Sequence, residues 1–170
     1  MQDSLMLYKL IVLYMLGQVD FPLTRVQIFN FILDKGYATY FTLQQAVAEL
    51  MDADLIRGQS TRNSTQLTMT DSGRETLSYF GNRVPDAIKQ QIKHFFDENN
   101  LAMRNEVSTQ ADYYKTTSAD FAAHMSVKDN NEPIIELTLT VPTEEGAVSL
   151  CDNWLKKNQD IYAYVIKQLM

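Results

Sequence analysis

The chain has 170 residues, 45% of them hydrophobic and 11% aromatic, which is enough to bury a real core in one large domain or two small ones. A formal net charge of −6, divided as −2 over residues 1–100 and −4 over residues 101–170, leaves no basic arm in either half. It argues against a protein whose main task is to coat nucleic acid, because Lys and Arg neutralising phosphates supply most non-specific affinity. One cysteine, Cys151, permits no internal disulfide and fits a reducing compartment, so the cytoplasm is the expected location.

Leu5 to Leu16 reads as a helix that is apolar nearly all round, with Lys9 its one charged residue. A bilayer core needs about 20 apolar residues, so this segment is too short to span. With Asp3 ahead of it, no basic segment and no small-residue cleavage site, it does not read as a signal peptide either, and no membrane partner is expected. A helix of this kind must be covered on more than one side. It is either a central core helix or one whose Leu7, Val12 and Tyr14 contribute to a homodimer interface.

Gly17 to Pro22 ends that helix and turns. Thr24 to Lys35 supplies Val26, Ile28, Phe29, Ile32 and Leu33 as a second amphipathic helix, stopped by Gly36. After a connection of helix-turn-helix length from Gly36 to Tyr40, a third helix runs from Phe41 to Asp52. Leu43, Val47, Leu50 and Met51 lie on one side of it and Thr42, Gln44, Gln45, Ala48 and Glu49 on the other. Leu55 and Ile56 leave as a strand. Arg57 to Thr61 and Gln66 to Thr70 then flank Arg62-Asn63-Ser64-Thr65, whose small polar residues suit a hairpin tip. Thr70 or Asp71 caps a following helix with Leu77, Tyr79 and Phe80 on its apolar side. This order predicts a winged helix-turn-helix over residues 1–82.

Val84-Pro85 starts a linking helix, predicted over residues 83–100, that carries Ile88, Ile92, Phe95 and Phe96 to Asn99-Asn100. The period changes in residues 101–170. Met103 to Tyr114 reads as one strand. Phe121, Ala123, Met125 and Val127 alternate with polar or small residues, as do Ile135, Leu137, Leu139 and Val141, and Asp129-Asn130-Asn131-Glu132-Pro133 is the turn between these two strands. Thr143 caps a final helix with Glu144 and Glu145 at its positive end. Ala147, Leu150, Cys151, Trp154, Ile161, Val165 and Leu169 form a stripe that can cover the sheet. The expected class is α+β: an N-terminal winged helix-turn-helix, then a small antiparallel sheet under a long C-terminal helix, a dimerisation or effector domain.

Several strings carry a resemblance. Asp20-Phe21-Pro22-Leu23-Thr24, Tyr40-Phe41-Thr42-Leu43-Gln44-Gln45 and Arg62-Asn63-Ser64-Thr65 lie in the first half. Arg104-Asn105-Glu106-Val107, Ala111-Asp112-Tyr113-Tyr114 and Val141-Pro142-Thr143-Glu144-Glu145 lie in the second. Through them nearly the whole chain resembles an uncharacterised bacterial domain-of-unknown-function family described as winged-helix-like. That family is placed near the PadR and MarR types of regulator, a broader similarity that rests on the helix, the wing and Thr70 to Gly73. The resemblance implies a winged-helix fold and transcriptional regulation, and it carries no established site residues.

If the third helix enters a major groove, Gln44 and Gln45 can pair with adenine, and Thr42 can meet a phosphate or a thymine methyl. Arg62, with Asn63 beside it at the hairpin tip, can reach a minor groove or phosphate, while Arg57, Arg25 and Arg74 track the backbone. Residues 41–70 nevertheless carry net −1, and the competing reading makes Gln44 and Gln45 a solvated helix face and Arg62 an exposed turn. His94 and His124 have no metal-ligand spacing, Cys151 reads as a small buried hydrophobe, and Glu144 with Glu145 as a cap. No phosphate loop, nucleophile elbow or dinucleotide fingerprint occurs, so neither an enzyme nor a cofactor is expected. Trp154, Tyr162, Tyr164, Tyr113 and Tyr114 line a pocket for a small apolar effector or serve as core and dimer contacts. The function expected is a homodimeric regulator that binds double-stranded DNA; the alternative is a winged helix used as a protein-interaction module.

Overall fold

The computed structural model describes residues 2–61, 64–129 and 132–170. It is a mixed α+β chain that divides after Val107 into two compact units. The first contains α1 (Gln2–Gly17), β1 (Leu23–Thr24), α2 (Arg25–Asp34), α3 (Tyr40–Asp52), β2 (Ile56–Ser60), β3 (Thr65–Met69), α4 (Asp71–Phe80), a 3₁₀ turn (Gly81–Arg83) and α5 (Asp86–Ser108), whose last residue crosses the division.

The apolar circumference of α1 has a direct consequence. Leu10, Ile11, Val12, Leu13, Met15 and Leu16 are all buried, so the helix is sheathed within its own unit, where it meets α3, α4 and β3. Val12 is fully buried, and Leu7 and Tyr14 are half-buried against the same core. Of the two readings of α1, the central core helix is therefore the one realised in the single chain.

Thr24 does two jobs. It pairs with Gln66 of β3 and caps α2, accepting from the Gln27 amide at 3.1 Å while Gln27 Oε1 accepts from the Thr24 amide at 2.8 Å. Gln27 Nε2 then donates to Glu106 Oε2 on α5 at 2.7 Å. The two-residue β1 has too little periodicity to be read from sequence, yet it completes a three-stranded antiparallel sheet of order β1-β3-β2, with Leu23 opposite Leu67 and Gly58 on the far side of Leu67. At the start of α4 the Thr70 hydroxyl accepts from the Gly73 amide at 3.0 Å and donates to the Asp54 carbonyl at 2.7 Å, tying the helix to the turn before β2. Tyr79, expected on the apolar side of α4, is exposed instead.

The strand expected from Met103 is also corrected. Helix α5 continues to Ser108, and β4 begins only at Thr109. Ile92, Phe96, Met103 and Val107 fall four, seven and four residues apart, one buried helical face, and Met103 joins the core of the first unit. Arg104 on the same helix donates to Asp20 at 2.7 Å and lies 5.1 Å over the Phe21 ring.

The second unit is a meander of β4 (Thr109–Lys115), β5 (Phe121–Asp129) and β6 (Glu132–Val141) with α6 (Glu144–Leu169) on one face. Register places Ala111, Met125 and Leu137 in one row and Tyr113, Ala123 and Leu139 in the next. Ala123, Met125, Cys151 and Trp154 form the centre of that core, and the indole N–H donates to the Ser126 carbonyl at 3.2 Å. Asn130 and Asn131 of the expected turn lie outside the described residues, between the paired Asp129 and Glu132. The expected α6 stripe does not hold to its end, since Leu169 is 80% exposed. A 26-residue helix runs about 39 Å at ~1.5 Å per residue, whereas the ten-residue β6 spans about 33 Å, so the helix is longer than the strand by about one turn. Among the described residues no helix is long and apolar enough to cross a membrane.

Candidate nucleic-acid interface

The geometry of α3 follows from its first turn. Thr39 is the N-cap, accepting from the Thr42 amide at 3.2 Å, and Thr42 Oγ1 accepts from the Thr39 amide at 3.1 Å. The two hydroxyls lie 2.9 Å apart, and Thr42 Oγ1 is also 3.0 Å from the Thr39 carbonyl. The Thr42 side chain is thus engaged in starting the helix. Leu43, Ala46, Val47 and Leu50 turn inward, and the opposite side leaves Phe41, Gln44, Gln45 and Ala48 in water.

The two glutamines differ. Gln45 Nε2 donates to Glu49 Oε1 at 3.0 Å, while Glu49 is also ion-paired with Lys9 of α1. The hydrogen bond from Lys9, with that from Gln45 next, holds the Glu49 carboxyl below its ordinary range. Lys9 therefore offers this face no uncompensated positive charge.

Arg57, on β2, is exposed, with Nε 3.4 Å from Asp54 Oδ1. Asp54 itself sits at φ 56°, in the left-handed region that Asp tolerates, and turns the chain from α3 into β2. Arg62 and Asn63 lie outside the described residues. On either side of them the hairpin closes through Ser60 paired with Thr65 and the Thr61 amide donating to the Ser64 carbonyl at 2.7 Å. Arg25 at the start of α2 lies with its guanidinium 4.9 Å over the Phe29 ring, which meets Tyr40 edge-on at 5.4 Å. This stack joins Arg25 to the first residue of α3. Arg74 is exposed on α4.

Sequence reasoning passed over one side chain on this face. Phe41 is 76% exposed and belongs to no core cluster. Its position three and four residues before Gln44 and Gln45 was the available signal, masked because an aromatic residue opening an amphipathic helix is usually assigned to packing.

The aromatic set proposed for an effector does not converge. Trp154 of α6 is buried against the sheet, whereas Tyr114 and Tyr164 are exposed, and Tyr113 donates its hydroxyl to Glu144 at 3.0 Å. An open groove of about 560 Å³ lies elsewhere, between α2 and α5, over the Phe31 and Phe95 rings, which are 4.9 Å apart. His94 faces Glu98 at 3.1 Å along α5, and His124 lies between Thr138 and Glu136 on the second sheet. Among the described residues no three His, Cys, Asp or Glu side chains are grouped to hold a metal ion.

Residues 8–169 match the family described as Domain of unknown function (DUF4364). The chain belongs to this family. No curated protein and no solved structure matches it. The match takes in α1 from Tyr8 onward, both sheets and all of α6, so both units are part of the family's common sequence.

Proposed function

We propose that the chain is a cytoplasmic DNA-binding transcriptional regulator of the winged-helix type that acts as a homodimer. The observation that carries this reading is the element order α1-β1-α2-α3-β2-β3 with strand order β1-β3-β2. It supplies a helix pair with a short connection, followed by a hairpin anchored through β1. In this reading α3 is the recognition helix and β2-β3 the wing, and the same topology supports a distant likeness to PadR and MarR regulators.

Gln44 and Gln45 are the base-reading candidates, and Arg25, Arg57, Arg62 and Asn63 are the candidates for contact with the DNA backbone or minor groove. Thr42 acts by fixing the helix start. A dimer doubles a sparse set of cations and presents two α3 faces to half-sites about one helical turn apart. The exposed Leu155, Tyr162, Ile166 and Leu169 of α6 support self-association. Nothing in this role requires catalysis.

The test is titration of a fluorescent mixed-sequence duplex with the purified full chain at low salt and again near physiological salt. The reading predicts saturable binding that weakens steeply with salt. No binding at low salt by folded protein would overturn it.

A second reading, a protein-interaction module on the same scaffold, has its own support. Tyr40 and Phe41 are exposed apolar groups at the start of α3 and Val26 is another on α2, while Lys9 and Arg57 each face a carboxylate. Strong self-association without retention on DNA would favour it.

A further inference from the structure

Helix α3 holds a large aromatic side chain in water that the fold does not use. Phe41 is outside the core, one turn before Gln44 and Gln45, and two turns before the exposed Ala48. Residues at i, i+3, i+4 and i+7 share one face, so these four form a continuous strip about 10 Å long, the reach of about three base-pair steps.

The chemistry of the strip is specific. It contains an aromatic ring, two carboxamides and a methyl group, with no charge among them. Carboxamides match the N6 and N7 edge of adenine, and apolar groups match the C5-methyl of thymine, whereas guanine is read chiefly by Arg or Lys. Both matches therefore belong to the A·T pair. Thr42, which sequence reasoning offered to a phosphate or a thymine methyl, is half-buried with its hydroxyl engaged by Thr39, whereas the Phe41 ring is exposed. Phe41 occupies the first turn of α3, the end of a recognition helix that reaches base edges.

We propose that Phe41 is a specificity-determining residue that packs on thymine C5-methyl groups, and that the α3 strip selects A·T-containing steps. This rests on the DNA-binding reading of α3. A protein partner could also cover the ring, but the exposed Gln44 amide beside it, with Gln45 keeping one N–H beyond its bond to Glu49, favours base edges.

The experiment compares thymine with uracil, which lacks only the methyl group, at each position of the tightest duplex recovered from a random library. Wild type, Phe41→Ala and Phe41→Leu are measured, each shown to be folded by circular dichroism. The expected result is a loss of about fivefold or more at one or two thymines for wild type. That loss falls below about twofold for Phe41→Ala and is largely kept by Phe41→Leu. Tight binding that is indifferent to the methyl, a methyl effect that survives Phe41→Ala, or a recovered site made of G·C pairs would overturn the inference while leaving the DNA-binding reading intact. Failure of folded wild type to bind any duplex would overturn both.

Discussion

Gln45 donates its side-chain amide to the Glu49 carboxylate at 3.0 Å, one turn further along α3, and the same carboxylate is ion-paired with Lys9. Two adjacent glutamines that look equivalent in sequence are therefore unequal in structure. Gln44 is presented to solvent, while Gln45 already commits one of its two amide N–H donors to a carboxylate. The pairing also keeps a negative charge beside the face proposed to meet DNA.

Removing that charge should strengthen DNA binding. In Glu49→Gln the repulsion of phosphates is lost and Lys9 is released, so affinity for a duplex at low salt is expected to rise about threefold to tenfold, with a steeper salt dependence from the additional cation. Anisotropy titrations of both proteins check this. An unchanged or weaker affinity would mean that Glu49 does not border the bound duplex.

The same ion pair makes a pH prediction. The Glu49 carboxyl is held below its ordinary range by the Lys9 hydrogen bond and then by Gln45. A carboxyl whose folded pKa is depressed contributes stability above its unfolded value and loses it as pH falls through the folded one. Titration of the Glu49 side-chain carbon by NMR should give a midpoint below that of an ordinary glutamate, and Lys9→Met should move it upward. The same midpoint in both proteins would contradict the assignment.

Gly73 marks a close approach on the first unit. A Cβ there would lie 2.1 Å from the Leu55 carbonyl oxygen and 2.7 Å from Met69 Cγ. The carbonyl is backbone and cannot step aside as a side chain would, so Gly73→Ala is expected to cost about 3 kcal/mol, the upper part of the range for overpacking. Gly36→Ala is a useful contrast, since Gly36 has φ +72° but open space around it, and should cost about 1 kcal/mol through backbone strain alone. Denaturant melts of the two variants should rank in that order, and a neutral Gly73→Ala would contradict the contact.

The chain's single tryptophan reports on the second unit. Trp154 is buried and donates to the Ser126 carbonyl. Its fluorescence should be blue-shifted and poorly quenched by acrylamide. Trp154→Phe, which removes the N–H donor and part of the ring, should destabilise the chain by about 2 kcal/mol. Emission typical of a solvated indole would contradict the burial of α6 on its sheet.

Legibility followed the strength of the local signal. Thr70, offered together with Asp71, and Thr143 precede strongly patterned helices and are N-caps as expected, whereas Thr24 and Thr39, read as a helix residue and as part of a connection, are N-caps as well. The alternation of Phe121 to Val127 and of Ile135 to Val141 named two strands because period 2 is distinct over seven residues. Strand β1 escaped because two residues hold no period. Met103 to Ser108 was misread because Val107, Ala111 and Tyr113 invite alternation, while Met103 and Val107 are also one helical turn apart, and tertiary burial on the first unit decided between them. On α3, Gln44 and Gln45 were readable as an outward face. The engagement of Thr42 by Thr39 and of Gln45 by Glu49 is local to the helix, at spacings of three and four, but the Lys9 pairing of Glu49 is fixed only once α1 is packed on α3.

The most direct test of the central claim is selection of duplexes from a random library by the purified chain, at low and then near physiological salt, with Gln44→Ala Gln45→Ala carried in parallel. The account predicts an enriched palindromic site, with half-sites about one helical turn apart, whose enrichment is lost in the double variant. No enrichment at either salt by folded wild type, or the same site enriched by the double variant, would contradict the assignment of α3 as a DNA-reading helix.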